Sequence, residues 1–127
     1  MNVLIIEPSK ELARVLAEAC DSHEISAVVA HNAQEAIKKA DKKTPDIVVM
    51  ELLIPRHNGL EFIHEFRSYP EWLDIPIILY SNISREELGL DDRKLNEMGI
   101  ASYLYKPTTS LDSLIKSVES SFASVNI

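Results

Sequence analysis

The sequence is poor in cysteine, in glycine and in long apolar runs. Its 127 residues include one cysteine, Cys20, which excludes a disulfide within the chain and a metal site built from cysteines alone. Three glycines, none grouped after a strand-like run, leave no glycine-rich loop of the kind that cradles phosphates. No apolar stretch is long enough to span a membrane, and Met1 leads directly into a strand-like run, so we expect no signal peptide and no membrane partner.

Positive charge is also scarce. The chain has 13 Lys and Arg residues against 20 Asp and Glu residues, and its formal net charge is −7. Because phosphate contacts need clustered Lys and Arg, we expect no nucleic-acid partner. With 46% hydrophobic and 26% charged residues, the composition is typical of a soluble globular protein. We expect a cytoplasmic protein, or one that docks on a basic partner.

Short apolar runs alternate with helical patterns along the chain. The strand-like runs are residues 2–7, 25–30, 46–50, 77–80 and 101–105. Helical spacing of apolar residues predicts helices over residues 9–21 and 32–41, around Leu60, Ile63 and Phe66, and finally around Leu111, Leu114, Ile115, Val118 and Phe122. Strands that are apolar throughout are covered on both faces, so we predict one α/β domain with a parallel sheet.

The stretch SREELGLDDRKLNEMG, residues 84–99, predicts an interrupted helix. Gly89 breaks its middle, because glycine is unfavourable inside a helix. The first part then forms a helical turn of its own, and Asp91 or Asp92 caps a second helix.

Polar side chains stand where four of the strand-like runs end. Glu7 follows the first run, Glu51 the third, Ser81 the fourth and Lys106 the fifth. In a parallel sheet the carboxyl ends of the strands lie at one edge, where α/β proteins bind their ligands. We therefore expect two acids, a hydroxyl and an amine to converge at that edge.

Four stretches, VLIIE, PDIVVMELLIPRHNGLEFI, IPIILYS and GIASYLYKP, resemble in order, and along nearly the whole chain, the receiver domain of two-component response regulators. The resemblance implies a flavodoxin-like, doubly wound (βα)5 fold with a five-stranded parallel sheet of strand order 2-1-3-4-5. In that family a histidine kinase passes a phosphoryl group to an aspartate after the third strand, and an acidic pair helps to hold Mg²⁺. A hydroxyl and a lysine contact the acyl phosphate, and an aromatic residue on the fifth strand changes rotamer with the switch.

Carried over position by position, the resemblance assigns the phosphoacceptor position to Glu51, the acidic pair to Glu7 and Pro8, the hydroxyl to Ser81, the lysine to Lys106 and the switch aromatic to Tyr103. Two positions depart from the family pattern, because Glu51 replaces the acceptor aspartate and Pro8 replaces an acid that binds the metal. The longer glutamate displaces the carboxylate by about 1 Å, and a misplacement of that size can cost about 10²-fold in rate.

The same departures weaken the expected metal site. Mg²⁺ demands octahedral oxygen ligands and takes its protein charge from carboxylates, whereas Pro8 has no side-chain oxygen. Only Glu7 and Glu51 remain as carboxylates, so we expect weak Mg²⁺ binding or none, and no other cofactor. Without a metal ion, we expect Glu51 to form an ion pair with Lys106, with Ser81 as an added donor.

We therefore predict a stand-alone receiver-like signalling module over residues 1–127, without an output domain. As a pseudo-receiver it is independent of phosphorylation, is not an enzyme, and acts by contact with a histidine kinase or a downstream signalling protein, or as a homodimer through the last two helices and the fifth strand. One alternative is a functional phosphoacceptor receiver in a histidine-kinase phosphorelay. A small flavodoxin-like enzyme or nucleotide binder is disfavoured, because neither a phosphate loop nor a nucleophile with a paired base is visible.

Overall fold

The fold is a central sheet with helices on both faces. The computed structural model describes residues 1–125, with all of their side chains except those of residues 57, 124 and 125. In chain order the elements are β1 (Asn2–Ile6), α1 (Lys10–Ser22), β2 (Ser26–Ala30), α2 (Ala33–Lys42), β3 (Ile47–Met50), β4 (Leu53–Ile54), β5 (His57–Asn58), α3 (Gly59–Arg67), a 3-10 turn (Pro70–Trp72), β6 (Ile77–Ser81), α4 (Arg85–Leu88), α5 (Asp92–Glu97), β7 (Ile100–Tyr105), a second 3-10 turn (Lys106–Thr108) and α6 (Leu111–Val125).

The parallel sheet has the strand order β2-β1-β3-β6-β7, which is 2-1-3-4-5 when its own strands are counted along the chain. The predicted order is therefore confirmed. Every residue of β1, β3 and β6 is buried, because helices cover both faces. Alternate residues of β1 serve the two cores: Leu4 and Ile6 pack towards α2 and α3, and Val3 and Ile5 pack towards α1 and α6.

Capping side chains determine where α1 and α2 begin. Ser9 accepts a hydrogen bond from the backbone N–H of Leu12 at 3.2 Å, and Asn32 accepts one from the N–H of Glu35 at 2.9 Å. Each of these caps satisfies a backbone donor that the helix itself leaves free. No helix within residues 1–125 is both long and apolar enough to cross a membrane.

The segment after β6 forms two short helices rather than one. α4 ends at Gly89, whose φ of 64° lies in the left-handed region that glycine adopts without strain. α5 begins after Asp91, whose side chain accepts a hydrogen bond from the N–H of Lys94 at 2.9 Å. The predicted break at Gly89 is confirmed, and of the two predicted caps, Asp91 and Asp92, the structure has Asp91.

Arg85 clamps the bend between these two helices. Its guanidinium donates to the carbonyl oxygen of Leu90 at 3.2 Å and to the carboxylate of Asp92 at 2.7 Å. From the far side of the bend, the ammonium of Lys94 donates to the carbonyl oxygen of Gly89 at 3.2 Å. These bonds hold α4 and α5 at one angle to each other.

A short antiparallel ribbon, which the sequence patterns did not predict, follows β3. β4 pairs with β5, so that Leu53 lies opposite Asn58. Ile54 turns into the core, whereas Leu53 is 56% exposed. Together with Pro8, the ribbon lines an open groove at the carboxyl edge of the sheet.

Aromatic side chains cover the core at the edge of the sheet opposite its carboxyl edge. Trp72 is buried, and its ring centroid lies 4.9 Å from that of Phe66 and 4.6 Å from that of Tyr69. Arg67 donates to the carbonyl oxygens of Trp72 at 2.8 Å and of Gly99 at 2.9 Å. The end of α3 is thereby tied to the turn that precedes β7.

Candidate functional site

The four predicted polar side chains meet at the carboxyl edge of the sheet. Glu7 follows β1, Glu51 follows β3, Ser81 ends β6 and Lys106 follows β7. The strand order places β1, β3 and β6 side by side, and the residues at their ends are buried: Glu7 is 4% exposed, Glu51 3% and Ser81 0%. Because water does not reach these buried side chains, their charged and polar groups must pair with one another or with the backbone.

Lys106 forms ion pairs with both acids of the cluster. Its ammonium lies 2.6 Å from Oε1 of Glu7 and 2.9 Å from Oε1 of Glu51, and it sits over the ring of Tyr80 at 5.6 Å from the centroid. The predicted ion pair between Glu51 and Lys106 is confirmed. The bond to Glu7 and the ring beneath the ammonium were not predicted.

The carboxylate of Glu51 accepts hydrogen bonds from four donors. Oε1 accepts from the ammonium of Lys106 and from the N–H of Asn82 at 3.0 Å. Oε2 accepts from the hydroxyl of Ser81 and from the N–H of Leu53 at 3.0 Å. An ionised carboxylate offers about four lone-pair sites, so the acceptor capacity of Glu51 is fully used. Two of the donors are backbone groups, which residue types alone do not reveal.

The protonation states follow from this geometry. Burial disfavours the ionised form of Glu51, but the bonds from Ser81, Lys106 and the two backbone N–H groups outweigh it, and the pKa of Glu51 is lowered. Burial likewise disfavours the ammonium of Lys106, but the bonds to Glu7 and Glu51 outweigh it and raise its pKa. Glu51 and Lys106 are therefore both charged at neutral pH.

Ser81 links the carboxylate of Glu51 to the loop that leads into α4. Its Oγ, which donates to Glu51, also accepts from the N–H of Ile83 at 3.2 Å. The hydroxyl of Tyr103, on β7, donates to the carbonyl oxygen of Ile83 at 2.5 Å. Tyr103 packs against the core beneath α4 and α5, so its ring is turned inwards. A continuous chain of bonds thus runs from Glu51 to Tyr103.

The residues at the metal position of the receiver family do not fit Mg²⁺. Pro8 contributes no side-chain oxygen, and the second oxygen of Glu7 accepts from the N–H of Ser9 at 3.0 Å. A metal ion at Glu51 would have to displace one of the four hydrogen-bond donors of its carboxylate, and it would lie close to the ammonium of Lys106. Within residues 1–125, no group of three or more His, Cys, Asp or Glu side chains is placed to hold a metal ion.

Comparison with known proteins identifies the family. The model of the response regulator receiver domain matches residues 3–119. The chain therefore belongs to the response regulator receiver domain family, whose members act in two-component signalling.

Relatives in this family are of several kinds. The chain is 32% identical over 108 residues to the hybrid signal transduction histidine kinase D of Dictyostelium discoideum, a match that covers 85% of this chain and 7% of that protein. It is 30% identical over 106 residues to the KDP operon transcriptional regulatory protein KdpE of Escherichia coli K12, covering 84% of this chain and 44% of that protein. The chain thus spans less than half of the length of these two relatives. An uncharacterized 14.6 kDa protein of Leptolyngbya boryana, 27% identical over 119 residues, is covered to 88%.

Solved structures share the fold. A sensor protein from Polaromonas sp. JS666 superposes with a TM-score of 0.86 at 22% identity, covering 97% of this chain and 96% of that one. The chemotaxis response regulator CheY4 of Vibrio cholerae superposes with a TM-score of 0.81 at 21% identity, covering 94% and 96%. The predicted flavodoxin-like α/β fold is confirmed.

Proposed function

We propose that this chain is a receiver domain that signals by protein contact and is not controlled by phosphorylation. Its place in two-component signalling follows from the family to which it belongs. The observation that carries the finer proposal is the carboxylate of Glu51, which already accepts four hydrogen bonds. We assign the domain no catalytic activity of its own and a cytoplasmic site of action.

To attack a phosphoryl group, an oxygen of Glu51 must first give up one of the hydrogen bonds that it accepts. In this chain both oxygens of Glu51 are occupied, and a side chain that is 3% exposed offers little access for attack. Phosphoryl transfer is catalysed mainly by positioning and by charge neutralisation, so a displaced carboxylate is a serious defect. The absence of a side-chain oxygen at Pro8 removes a metal ligand from the same step, and we propose that the domain works without Mg²⁺.

Ser81 donates a hydrogen bond to Glu51 and accepts one from Ile83, and Tyr103 donates one to the carbonyl oxygen of Ile83. These bonds support a single persistent state of the switch region. Glu51 engages the hydroxyl of Ser81 and the ammonium of Lys106, the groups that contact the acyl phosphate in the family, but it brings one negative charge where a phosphate brings about −1.5 to −2. We propose that β7, α5 and α6 then present one constant surface. A histidine kinase, a downstream signalling protein or a second copy of the chain would bind there.

Treatment with Mg²⁺ and either acetyl phosphate or beryllofluoride tests the proposal. We expect intact-mass measurement to find no phosphorylated species, and amide NMR spectra to show no saturable, Mg²⁺-dependent change. The double variant Glu51→Asp with Pro8→Asp should gain both responses, and each single variant should gain less, because either change alone leaves one defect. Acyl phosphate on Glu51 of the unaltered chain would contradict the proposal and favour the phosphorelay alternative.

A further inference from the structure

The C-terminal half of α2 and the residue after it carry four lysines and one acid, Asp41. Lys38, Lys39, Lys42 and Lys43, which we call the lysine stripe, are all exposed. They make up four of the 13 basic residues of a chain whose net charge is −7. The overall acidic balance therefore conceals a local excess of positive charge.

Four of the nine basic residues outside the lysine stripe have acidic partners within residues 1–125, and the lysines of the stripe have none there. Arg14 pairs with Glu18, Arg85 with Asp92, Arg93 with Glu97, and Lys106 with Glu7 and Glu51. In the stripe, Lys39 donates to the carbonyl oxygen of Val29. Neither Lys38 nor Lys42 nor Lys43 forms an ion pair with any carboxylate in the part of the chain that the structure describes. Their charges are therefore available to another molecule.

The stripe lies far from the pocket around Glu51. α2 begins at Asn32, just after β2 ends at the carboxyl edge of the sheet, and it finishes at the opposite edge, before β3 begins. A partner on the stripe would also lie beside β2, which is an outer strand of the sheet. It would leave both the pocket and β7 uncovered.

We propose that the lysine stripe is a docking surface for an acidic segment of a partner protein. Four ammonium groups over about one and a half helical turns match a run of Asp and Glu side chains. Residues 38–43 include no arginine and no aromatic residue, the side chains that grip phosphates bidentately and stack on bases, and the net charge of −7 repels a long polyanion such as DNA. The proposal goes beyond the function proposed above and holds whether or not Glu51 accepts a phosphoryl group.

Titration of the ¹⁵N-labelled chain with a ten-residue polyglutamate peptide tests this surface. At physiological salt, we expect saturable changes in the amide signals of residues 38–43 and of adjacent β2, with the signals near Glu51 and Tyr103 unchanged. The double variant Lys38→Glu with Lys42→Glu should lose at least about tenfold in affinity. The double variant Lys10→Glu with Lys116→Glu is the matched control, because both of its lysines are exposed and it changes the net charge equally.

Several results would overturn the proposal. An equal loss in both double variants would mean that net charge alone controls binding. Signal changes centred elsewhere, or no saturable change at all, would mean that the stripe binds no acidic segment. Tighter binding of a DNA duplex, or of vesicles with anionic lipids, than of the peptide would assign the stripe to a different class of partner. The proposal would be supported if the control variant keeps its affinity for the peptide, while the stripe variant loses affinity and still gives the spectrum of a folded protein.

Discussion

The ammonium of Lys106 lies 2.9 Å from Oε1 of Glu51, with the two side chains 8% and 3% exposed. The same ammonium is 2.6 Å from Glu7, so one positive charge is shared between two buried carboxylates. Removing one partner of a buried ion pair leaves an uncompensated charge in a medium that solvates it poorly. Lys106 is therefore the residue on which the integrity of the pocket depends most.

Replacing Lys106 should destabilise the fold strongly. For Lys106→Met we expect the free energy of unfolding at neutral pH, measured by urea titration, to fall by about 3–5 kcal/mol, because both carboxylates stay buried without their cation. Lys116→Met, at an exposed position, is the control and should change it by no more than about 0.5 kcal/mol. Equal effects of the two replacements would refute this account of the buried cluster.

Acid should weaken the fold through Glu51. Burial disfavours its charged form, but the bonds from Ser81, Lys106 and the backbone outweigh it and lower its pKa from the ordinary 4.5. A group whose pKa is lower in the folded than in the unfolded chain makes its full contribution to stability above the unfolded-state pKa. This contribution is lost as pH falls through the folded-state pKa. We expect the free energy of unfolding to decrease below pH 4.5 more steeply in the unaltered chain than in Glu51→Gln. Parallel pH profiles for the two proteins would count against this.

At alkaline pH, Lys106 should make the free energy of unfolding fall as pH rises, whereas Glu51 makes it fall as pH decreases. Burial acts to lower its pKa, but the two carboxylates outweigh burial and raise it above the ordinary 10.5. Its contribution is therefore complete below pH 10.5 and is lost as pH rises through the folded-state value. Lys106→Arg, which stays charged over this range, should lack that alkaline loss in urea titrations, whereas a retained loss would assign it to another group.

Alanine should be tolerated less well at Gly99 than at Gly89. Both glycines have left-handed φ values, 70° and 64°, where a Cβ costs about 1–2 kcal/mol. A Cβ at Gly89 meets nothing within 4 Å, whereas a Cβ at Gly99 would lie 2.5 Å from a terminal nitrogen of Arg67. Arg67 would then have to shift from the carbonyl oxygens that it bonds, so unfolding titrations should show a larger loss for Gly99→Ala. Equal losses would mean that Arg67 moves aside freely.

The clamp across the α4–α5 bend should be visible in hydrogen exchange. Arg85→Ala removes the bonds to Leu90 and Asp92, so the amides of residues 84–92 should exchange faster. Arg93→Ala breaks only an exposed pair with Glu97 within α5 and should leave exchange at the bend unchanged. Exchange that rises equally in both variants would show that Arg85 does not hold the bend.

The strand ends could be predicted from the sequence because the geometry of a parallel sheet brings them to one edge. Glu51 and Lys106 are 55 residues apart, and β6 lies between their strands, yet both residues follow strands whose carboxyl ends lie at the same edge of the sheet. The donation to Glu51 by the N–H groups of Leu53 and Asn82 could not be predicted, because every residue except proline carries such a donor. Glu7 as a second partner of Lys106 depends on side-chain placement at the sub-ångström level.

Short elements were predicted less well than long ones. β4 and β5 have two residues each, too few for a period of two to be recognised. The break at Gly89 could be predicted because the conformational preference of glycine acts locally. The contacts of Arg85 could not, since an exposed arginine has many possible partners. Net charge averaged over the chain also concealed the lysine stripe.

The stack of Trp72 on Phe66 has a consequence for spectroscopy. Trp72 is the chain's one tryptophan, and it lies beyond α3, at the edge of the sheet opposite the pocket. Its emission should report loss of the packed interior as a whole and remain insensitive to events around Glu51. Fluorescence is therefore a suitable readout for chemical denaturation, while occupancy of the pocket needs a probe introduced near its rim, such as tryptophan in place of the exposed Leu53.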